Sequence, residues 1–175
     1  MPQEQLAASY FSPDILDFIK ALHRHEVRYL IVGGEAVIYY GHARYTGDVD
    51  FFYEGSEANA KAMFAALTDF WGGHVPDMTD YAELTEPGLI LQFGSPPNRI
   101  DLLNQIDGVL FEDAWPTRAK VKLDAETEEI SLPYLGLEKL IQNKEASGRG
   151  KDLEDLKYLT ARAAKDRNSS DEGSR

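Results

Sequence analysis

Short blocks of apolar residues, each with its own spacing, divide the chain into alternating helices and strands. Ser12-Pro13 is typical of an N-cap followed by a first helical residue, and the apolar residues after it predict a helix over 13–25. An apolar run over 28–32 predicts a strand that ends at Gly33-Gly34. The later pattern predicts a short helix over 35–40, a strand over 48–53, a helix over 57–71, an antiparallel pair of strands over 89–93 and 99–103, a short helix over 111–118, a hairpin over 119–123 and 128–132, and helices over 135–146 and 151–164.

The length of the chain limits the number of domains that it can form. At 175 residues it is long enough for one sizeable core and short for two, and no internal repeat divides it. We therefore expect a single domain over residues 1–166. Residues 167–175 are small and polar, which predicts a disordered tail.

Composition narrows the classes of function. Cysteine is absent, which excludes disulfides and thiolate metal sites and agrees with a cytoplasmic location. Residues 1–10 lack the pattern of a signal peptide, and no apolar stretch is long enough to span a bilayer, so we expect no membrane partner. The net charge of −12 argues against a broad nucleic-acid surface. It is compatible with an enzyme that uses metal-bound nucleotides, because the metal ions carry positive charge to the phosphates.

Two aspartates enter the predicted strand over 48–53. Side chains alternate along a strand, so Asp48 and Asp50 share one face while Val49 and Phe51 take the other. Aspartate is disfavoured in strands, and two neighbouring carboxylates on one face repel each other. We therefore expect a positive group between them, and divalent cations held by carboxylates suit that place. The alternative is a strand-edge aspartate followed by a turn cap.

The sequence from the first strand to these aspartates resembles a known family. Gly33 and Gly34 follow an apolar strand, and Asp48-Val49-Asp50 comes after thirteen further residues. This arrangement resembles the core of the nucleotidyltransferase superfamily related to DNA polymerase beta. It is most similar to small prokaryotic toxin-type nucleotidyltransferases of the abortive-infection kind, and small antibiotic nucleotidyltransferases are a neighbouring likeness. The resemblance implies an α+β fold, with a mixed central β-sheet flanked by helices and further helices at the C-terminus.

The resemblance also implies a catalytic centre. Asp101, on the predicted strand over 99–103, corresponds to the third carboxylate of the family, so Asp48, Asp50 and Asp101 are the expected catalytic and metal-binding residues. Two Mg²⁺ ions are expected among them. The alternative for Asp101 is a solvent-facing acid paired with Arg99.

The expected nucleotide-binding residues lie around this centre. Gly33 and Gly34 would contact phosphates through their backbone, although many relatives carry Ser at the second position. Arg44 is expected to contact phosphate or, alternatively, to pair with an acid, and Thr46 to fix the turn into the strand. Lys144 inherits a phosphate-binding role from the resemblance, with Asp152 as a helper, and Arg149 and Lys151 add basic charge nearby or simply cap helices.

The implied activity is transfer of a nucleoside monophosphate from a nucleoside triphosphate, with ATP one option, to an acceptor hydroxyl with release of pyrophosphate. A toxin–antitoxin enzyme is one form of this activity. A non-catalytic nucleotide-binding or protein-interaction module and a small-molecule (antibiotic) nucleotidyltransferase are alternatives. A tRNA end, a protein side chain and a small molecule all remain open as acceptors, as do a homodimer and a cognate partner protein.

Overall fold

The computed structural model describes residues 4–172, which form one seven-stranded mixed sheet with helices packed against it. The strand order is β1-β6-β7-β2-β3-β5-β4. The strands are β1 (Gln5–Ala7), β2 (Tyr29–Val32), β3 (Asp48–Tyr53), β4 (Ile90–Phe93), β5 (Arg99–Leu103), β6 (Ala119–Asp124) and β7 (Glu129–Tyr134). The predicted α+β class with a mixed sheet is confirmed.

Within residues 4–172, six α-helices accompany the sheet. They are α1 (Pro13–Arg24), α2 (Gly33–Tyr39), α3 (Glu57–Phe70), α4 (Phe111–Ala114), α5 (Leu137–Ser147) and α6 (Gly150–Glu172). Short 3-10 segments cover Ala8–Tyr10, Tyr81–Thr85 and Trp115–Thr117. Ser12 caps α1 and Ser56 caps α3, because each side chain accepts a backbone N–H from the first turn. Among residues 4–172 we find no helix with the length and apolar character needed to cross a membrane.

The centre of the sheet is built from β2, β3 and β5. β3 runs antiparallel to β2 and parallel to β5, and β4 closes this edge as the antiparallel partner of β5. Phe51 of β3 is fully buried and meets Phe18 of α1 edge to face at 5.2 Å. Because side chains alternate, burying this apolar face under α1 directs Asp48 and Asp50 to the opposite face.

The C-terminal helices lie over the face that carries the aspartates. α5 packs against α6 and against α2. Gly148, with φ +62°, separates α5 from α6 in a left-handed conformation, and its N–H bonds the carbonyl of Lys144. The connection is therefore tight, and it keeps the cationic residues of the α5–α6 corner beside the sheet.

Two parts of the chain differ from the prediction. β1 was missed because three residues are too few to show an alternating pattern; only Leu6 is buried, and β1 pairs parallel to β6. α6 continues to Glu172, so residues 167–172 are helical rather than disordered. Hydroxyls of Ser169 and Ser170 bond to carbonyls one turn earlier and serve the helix. Residues 173–175 of the predicted tail lie outside the described residues.

Candidate active site

Three carboxylates meet on one face of the sheet. Asp48 and Asp50 come from β3 and Asp101 from β5, and one oxygen of each lies within 4.8 Å of the others. The pairing of the two parallel strands explains this proximity, because Asp50 stands opposite Asp101 and Asp48 opposite Arg99. A slip of one residue would turn Asp101 to the other face.

Arg99 balances part of this negative charge. Its Nη2 donates to Asp48 at 2.6 Å and its Nε donates to Asp101 at 2.8 Å. Gln92 of β4 adds a hydrogen bond to Asp101 at 3.1 Å. The pairing of Asp101 with Arg99 was the alternative considered from the sequence; the structure shows that pairing and the acidic cluster together.

Asp50 differs from the other two carboxylates in its hydrogen bonding. Among the described residues, no side chain donates a hydrogen bond to it, although its neighbours Asp48 and Asp101 both receive one or more. Burial and then repulsion from Asp48 and Asp101 raise the pKa of Asp50 to about 7, against the opposing effect of Lys144 and Arg99. A cation beside Asp50 would favour its ionised form.

The glycine turn is shaped to fit these side chains. Gly33 has φ +65°, and a Cβ there would collide with the carboxylate of Asp50. A Cβ on Gly34 would lie 2.7 Å from Thr46 Oγ1 and 3.1 Å from Arg44 Nη2. The space that a serine side chain would need at position 34 is thus held by Thr46 and Arg44. Thr46 also donates from its hydroxyl to Asp48, either to the carbonyl or to the carboxylate, both at 3.1 Å.

A buried ionic network lies at the C-terminal side of the site. Lys144 donates to Asp152 at 2.8 Å and lies 3.1 Å from Asp155, and all three side chains are buried. Arg44 Nε reaches the same Asp155 at 3.1 Å. Burial pushes the pKa of Asp152 upward, but hydrogen bonds from Lys144 and Ser147 bring it below its usual value. The network therefore connects α5 and α6 to the segment before β3.

A cavity of about 700 Å³ joins these parts. One end, which we call the basic end, is lined by Arg44, Lys144, Arg149 and Lys151. The lining also includes Ile90, Gln92, Leu103, Gln105 and Ile106, together with the acidic cluster and Gly33-Gly34. A bound molecule can therefore contact the carboxylates and the basic end at once.

The acidic cluster fits a divalent metal ion. Its donors are all carboxylate oxygens, the type that hard cations such as Mg²⁺ prefer, and Asp50 brings a half-buried carboxylate to which no side chain among residues 4–172 donates a hydrogen bond. Gly33 leaves the space at Asp50 that any side chain would fill. The residues present are thus compatible with the expected Mg²⁺.

The structure brings all eight site residues expected from the sequence around one cavity. They are Asp48, Asp50, Asp101, Gly33, Gly34, Arg44, Thr46 and Lys144. Sequence reasoning missed Asp155, which holds both Arg44 and Lys144. The available signal was its position one helical turn after Asp152, which places the two acids on one face of α6.

The fold and the site together define a class of protein. A mixed sheet that presents three carboxylates beside a glycine turn and a basic cavity wall is the arrangement implied by the resemblance to nucleotidyltransferases. The family described as "Nucleotidyl transferase of unknown function (DUF2204)" matches residues 12–172, and the chain belongs to this family. A comparison with curated proteins finds no match.

Proposed function

We propose that the protein is a Mg²⁺-dependent nucleotidyltransferase that moves a nucleoside monophosphate from a nucleoside triphosphate to an acceptor hydroxyl and releases pyrophosphate. The observation that carries the proposal is the convergence of Asp48, Asp50 and Asp101 within 4.8 Å on one sheet face. Membership of a nucleotidyl transferase family supports the same class of reaction.

The three carboxylates would hold Mg²⁺, and we expect two ions among them. Bound there, the ions would supply Lewis acidity and positive charge to the phosphates and to the attacking oxygen. Arg99 orients Asp48 and Asp101 through its hydrogen bonds. Thr46 orients Asp48 in the same way.

The basic end of the cavity would receive the triphosphate. Gly33 and Gly34 line the cavity, and the guanidinium of Arg44 stands directly beside Gly34. Lys144 is fixed by two aspartates and so presents its charge at a defined place with little reorganisation. Asp155 would act as a positioning residue for both cations.

A non-catalytic nucleotide-binding module needs no complete acidic cluster, and its completeness here favours an enzyme. A toxin–antitoxin role and an antibiotic acceptor rest on the resemblance alone.

The test replaces one cluster carboxylate at a time. Asp48→Asn or Asp50→Asn should lower Mg²⁺-dependent pyrophosphate release by about a hundredfold or more, because several kcal/mol of charge stabilisation depends on the metal ligands. Release would be measured with each of the four nucleoside triphosphates and with total tRNA, protein or antibiotic acceptors. Asp124→Asn, an exposed position on β6, is the control.

Unchanged turnover in folded Asp50→Asn protein would contradict the metal-site assignment. Nucleotide binding without release in any acceptor mixture would identify a binding module instead.

A further inference from the structure

Arg99 bridges two carboxylates of the acidic cluster. It precedes Asp101 by two residues on β5, so the two side chains share one face of the sheet. The pairing of β3 with β5 also puts Arg99 opposite Asp48. The register of the two strands therefore fixes the place of this guanidinium within the cluster.

One nitrogen of Arg99 contacts both of these carboxylates. Nη2 donates to Asp48 Oδ2 at 2.6 Å and to Asp101 Oδ2 at 3.1 Å. Nε donates to the other oxygen of Asp101 at 2.8 Å. One oxygen of Asp48 and both oxygens of Asp101 thus already accept charge-assisted hydrogen bonds. A divalent ion that bridged the same two carboxylates would have to replace these bonds, because it would compete for the oxygens and repel the guanidinium.

Asp50 is the carboxylate that remains available. Among residues 4–172, the side-chain hydrogen bonds in the cluster go to Asp48 and Asp101, and none goes to Asp50. A Cβ on Gly33 would meet this carboxylate, so the glycine turn keeps the space beside it open. A half-buried carboxylate without a donor is costly to ionise unless a cation lies beside it. The first divalent ion is therefore expected at Asp50.

The local charge agrees with one ion. The three carboxylates of the cluster carry −3 when all are ionised and Arg99 carries +1, which leaves −2. Lys144 adds little to this sum, because Asp152 and Asp155 bind it. A single divalent ion would neutralise the cluster, whereas a second would leave an excess of positive charge. A bound triphosphate brings the negative charge that offsets such an excess.

We propose that the guanidinium of Arg99 occupies the position of one of the two expected metal ions, so that the protein without nucleotide binds a single divalent ion, at Asp50; this rests on the proposed metal-dependent transfer. The other ion binds only together with the triphosphate. Arg99 is thus a positioning residue that sets the number of ions in the site.

The experiment counts the Mn²⁺ ions that bind to the full-length protein without nucleotide, by calorimetry and by the EPR signal of free Mn²⁺. Mn²⁺ serves as the probe because it takes the same oxygen ligands as Mg²⁺. Wild-type protein should bind about one ion per chain and Arg99→Met protein about two, because methionine removes the charge and the donors. A non-hydrolysable triphosphate analogue should raise the wild-type number to about two.

The matched control is Arg28→Met. Arg28 also binds a carboxylate, through a 2.8 Å hydrogen bond to Glu54, but it does not line the cavity. Both substitutions remove one positive charge and its ion pairing, yet Arg28→Met protein should still bind about one ion per chain. Arg99→Gln is a second neutral variant, which keeps the test independent of the folding of Arg99→Met protein, and it should bind about two ions as well.

The melting temperature gives a second readout. Without divalent ions, Arg99→Met protein should melt below the wild type, because repulsion among the three carboxylates is no longer offset. Saturating Mn²⁺ should raise the melting temperature of Arg99→Met protein more than that of the wild type or of Arg28→Met protein. The reason is that each further ion bound by the folded state alone adds to its stability.

Two ions per wild-type chain without nucleotide would overturn the proposal, and so would one ion per chain in both Arg99 variants. A wild-type number that stays at one with the analogue bound would overturn the dependence of the other ion on the triphosphate. Failure of the proposed function is separate: pyrophosphate release would be absent in every acceptor mixture, while the ion numbers would still differ between wild-type and Arg99→Met protein.

Discussion

At the scale of single residues, the acidic cluster depends on the absence of a side chain at position 33. Gly33 combines a positive φ with a carboxylate at the place of a Cβ, so a side chain there meets two separate obstacles. The backbone obstacle alone costs about 1–2 kcal/mol. The contact with Asp50 affects the site itself, because it displaces a carboxylate to which no side chain among residues 4–172 donates a hydrogen bond.

These two effects can be separated by a matched pair of variants. Gly33→Ala should abolish tight Mn²⁺ or Mg²⁺ binding, measured by calorimetry. Gly72→Ala has nearly the same φ, +69°, but nothing within 4 Å of its Cβ. It should show a similar loss of stability, about 1–2 kcal/mol, with unchanged metal binding. Equal metal affinity in both variants would show that a side chain at position 33 does not displace the carboxylate of Asp50.

How far the site could be predicted also depends on single residues. Strand alternation is local, so the sequence alone places Asp48 and Asp50 on one face. The hydrogen bond from Arg99 to Asp48 spans 51 positions and follows from the pairing of β3 with β5, which has no local signal. The occupation of the space beside Gly34 by Thr46 and Arg44 was equally out of reach, since it is a packing outcome.

At the scale of elements, the α5–α6 corner is held by buried charge. Lys144, Asp152 and Asp155 are buried together, and Arg44 joins them from the segment before β3. Removing one partner from such a network leaves the opposite charge buried and unpaired. The corner should therefore be sensitive to the loss of a single carboxylate.

Asp155→Ala should lower the free energy of unfolding by about 3 kcal/mol, measured by urea denaturation. Glu154→Ala, the exposed neighbour on the same helix, should change it by less than about 0.5 kcal/mol. If nucleotidyl transfer occurs, the conservative Asp155→Asn should raise the KM for nucleotide more than it lowers kcat, because the cations lose their anchor. Equal stability of the two alanine variants would contradict the network's structural role.

Elements with strong periodicity were the predictable ones. The bounds of α1 and of the β4–β5 pair differ from expectation by one residue at most, because capping and alternation mark them locally. β1 and the end of α6 carry no such signal. β1 depends on a partner more than a hundred residues away, and the final turns of α6 are polar on all sides.

At the scale of the whole molecule, Glu35 ties distant parts of the chain together. Its Oε1 accepts from Tyr10 near the N-terminus at 2.7 Å and from Tyr134 of β7 at 3.1 Å. Burial raises the pKa of Glu35, and the two tyrosine hydrogen bonds offset this only in part. The ionised form is thus the costly one, and the folded protein holds this proton more tightly than the unfolded chain.

The protonated Glu35 contributes to the free energy of unfolding. This contribution is fully present below the pKa that Glu35 has in the unfolded chain, and it is lost as pH rises through the higher pKa that Glu35 has in the folded protein. Glutamine does not titrate, so the melting temperature of Glu35→Gln protein should rise relative to that of the wild type as pH increases over this interval. Thermal unfolding of both proteins from about pH 4 to about pH 8 tests this, and other groups cancel in the difference. A constant difference would show that Glu35 does not titrate as described.

The strand order also bears on synthesis by the ribosome. β1 is made first, yet it pairs with β6, so it waits for residues 119–124. β2, β3, β4 and β5 are complete by residue 103 and can assemble earlier, with the three carboxylates already in place. Lys144 emerges later still. A nascent or truncated chain therefore carries the acidic cluster before the cation of α5 exists, and only the finished chain unites both halves of the site.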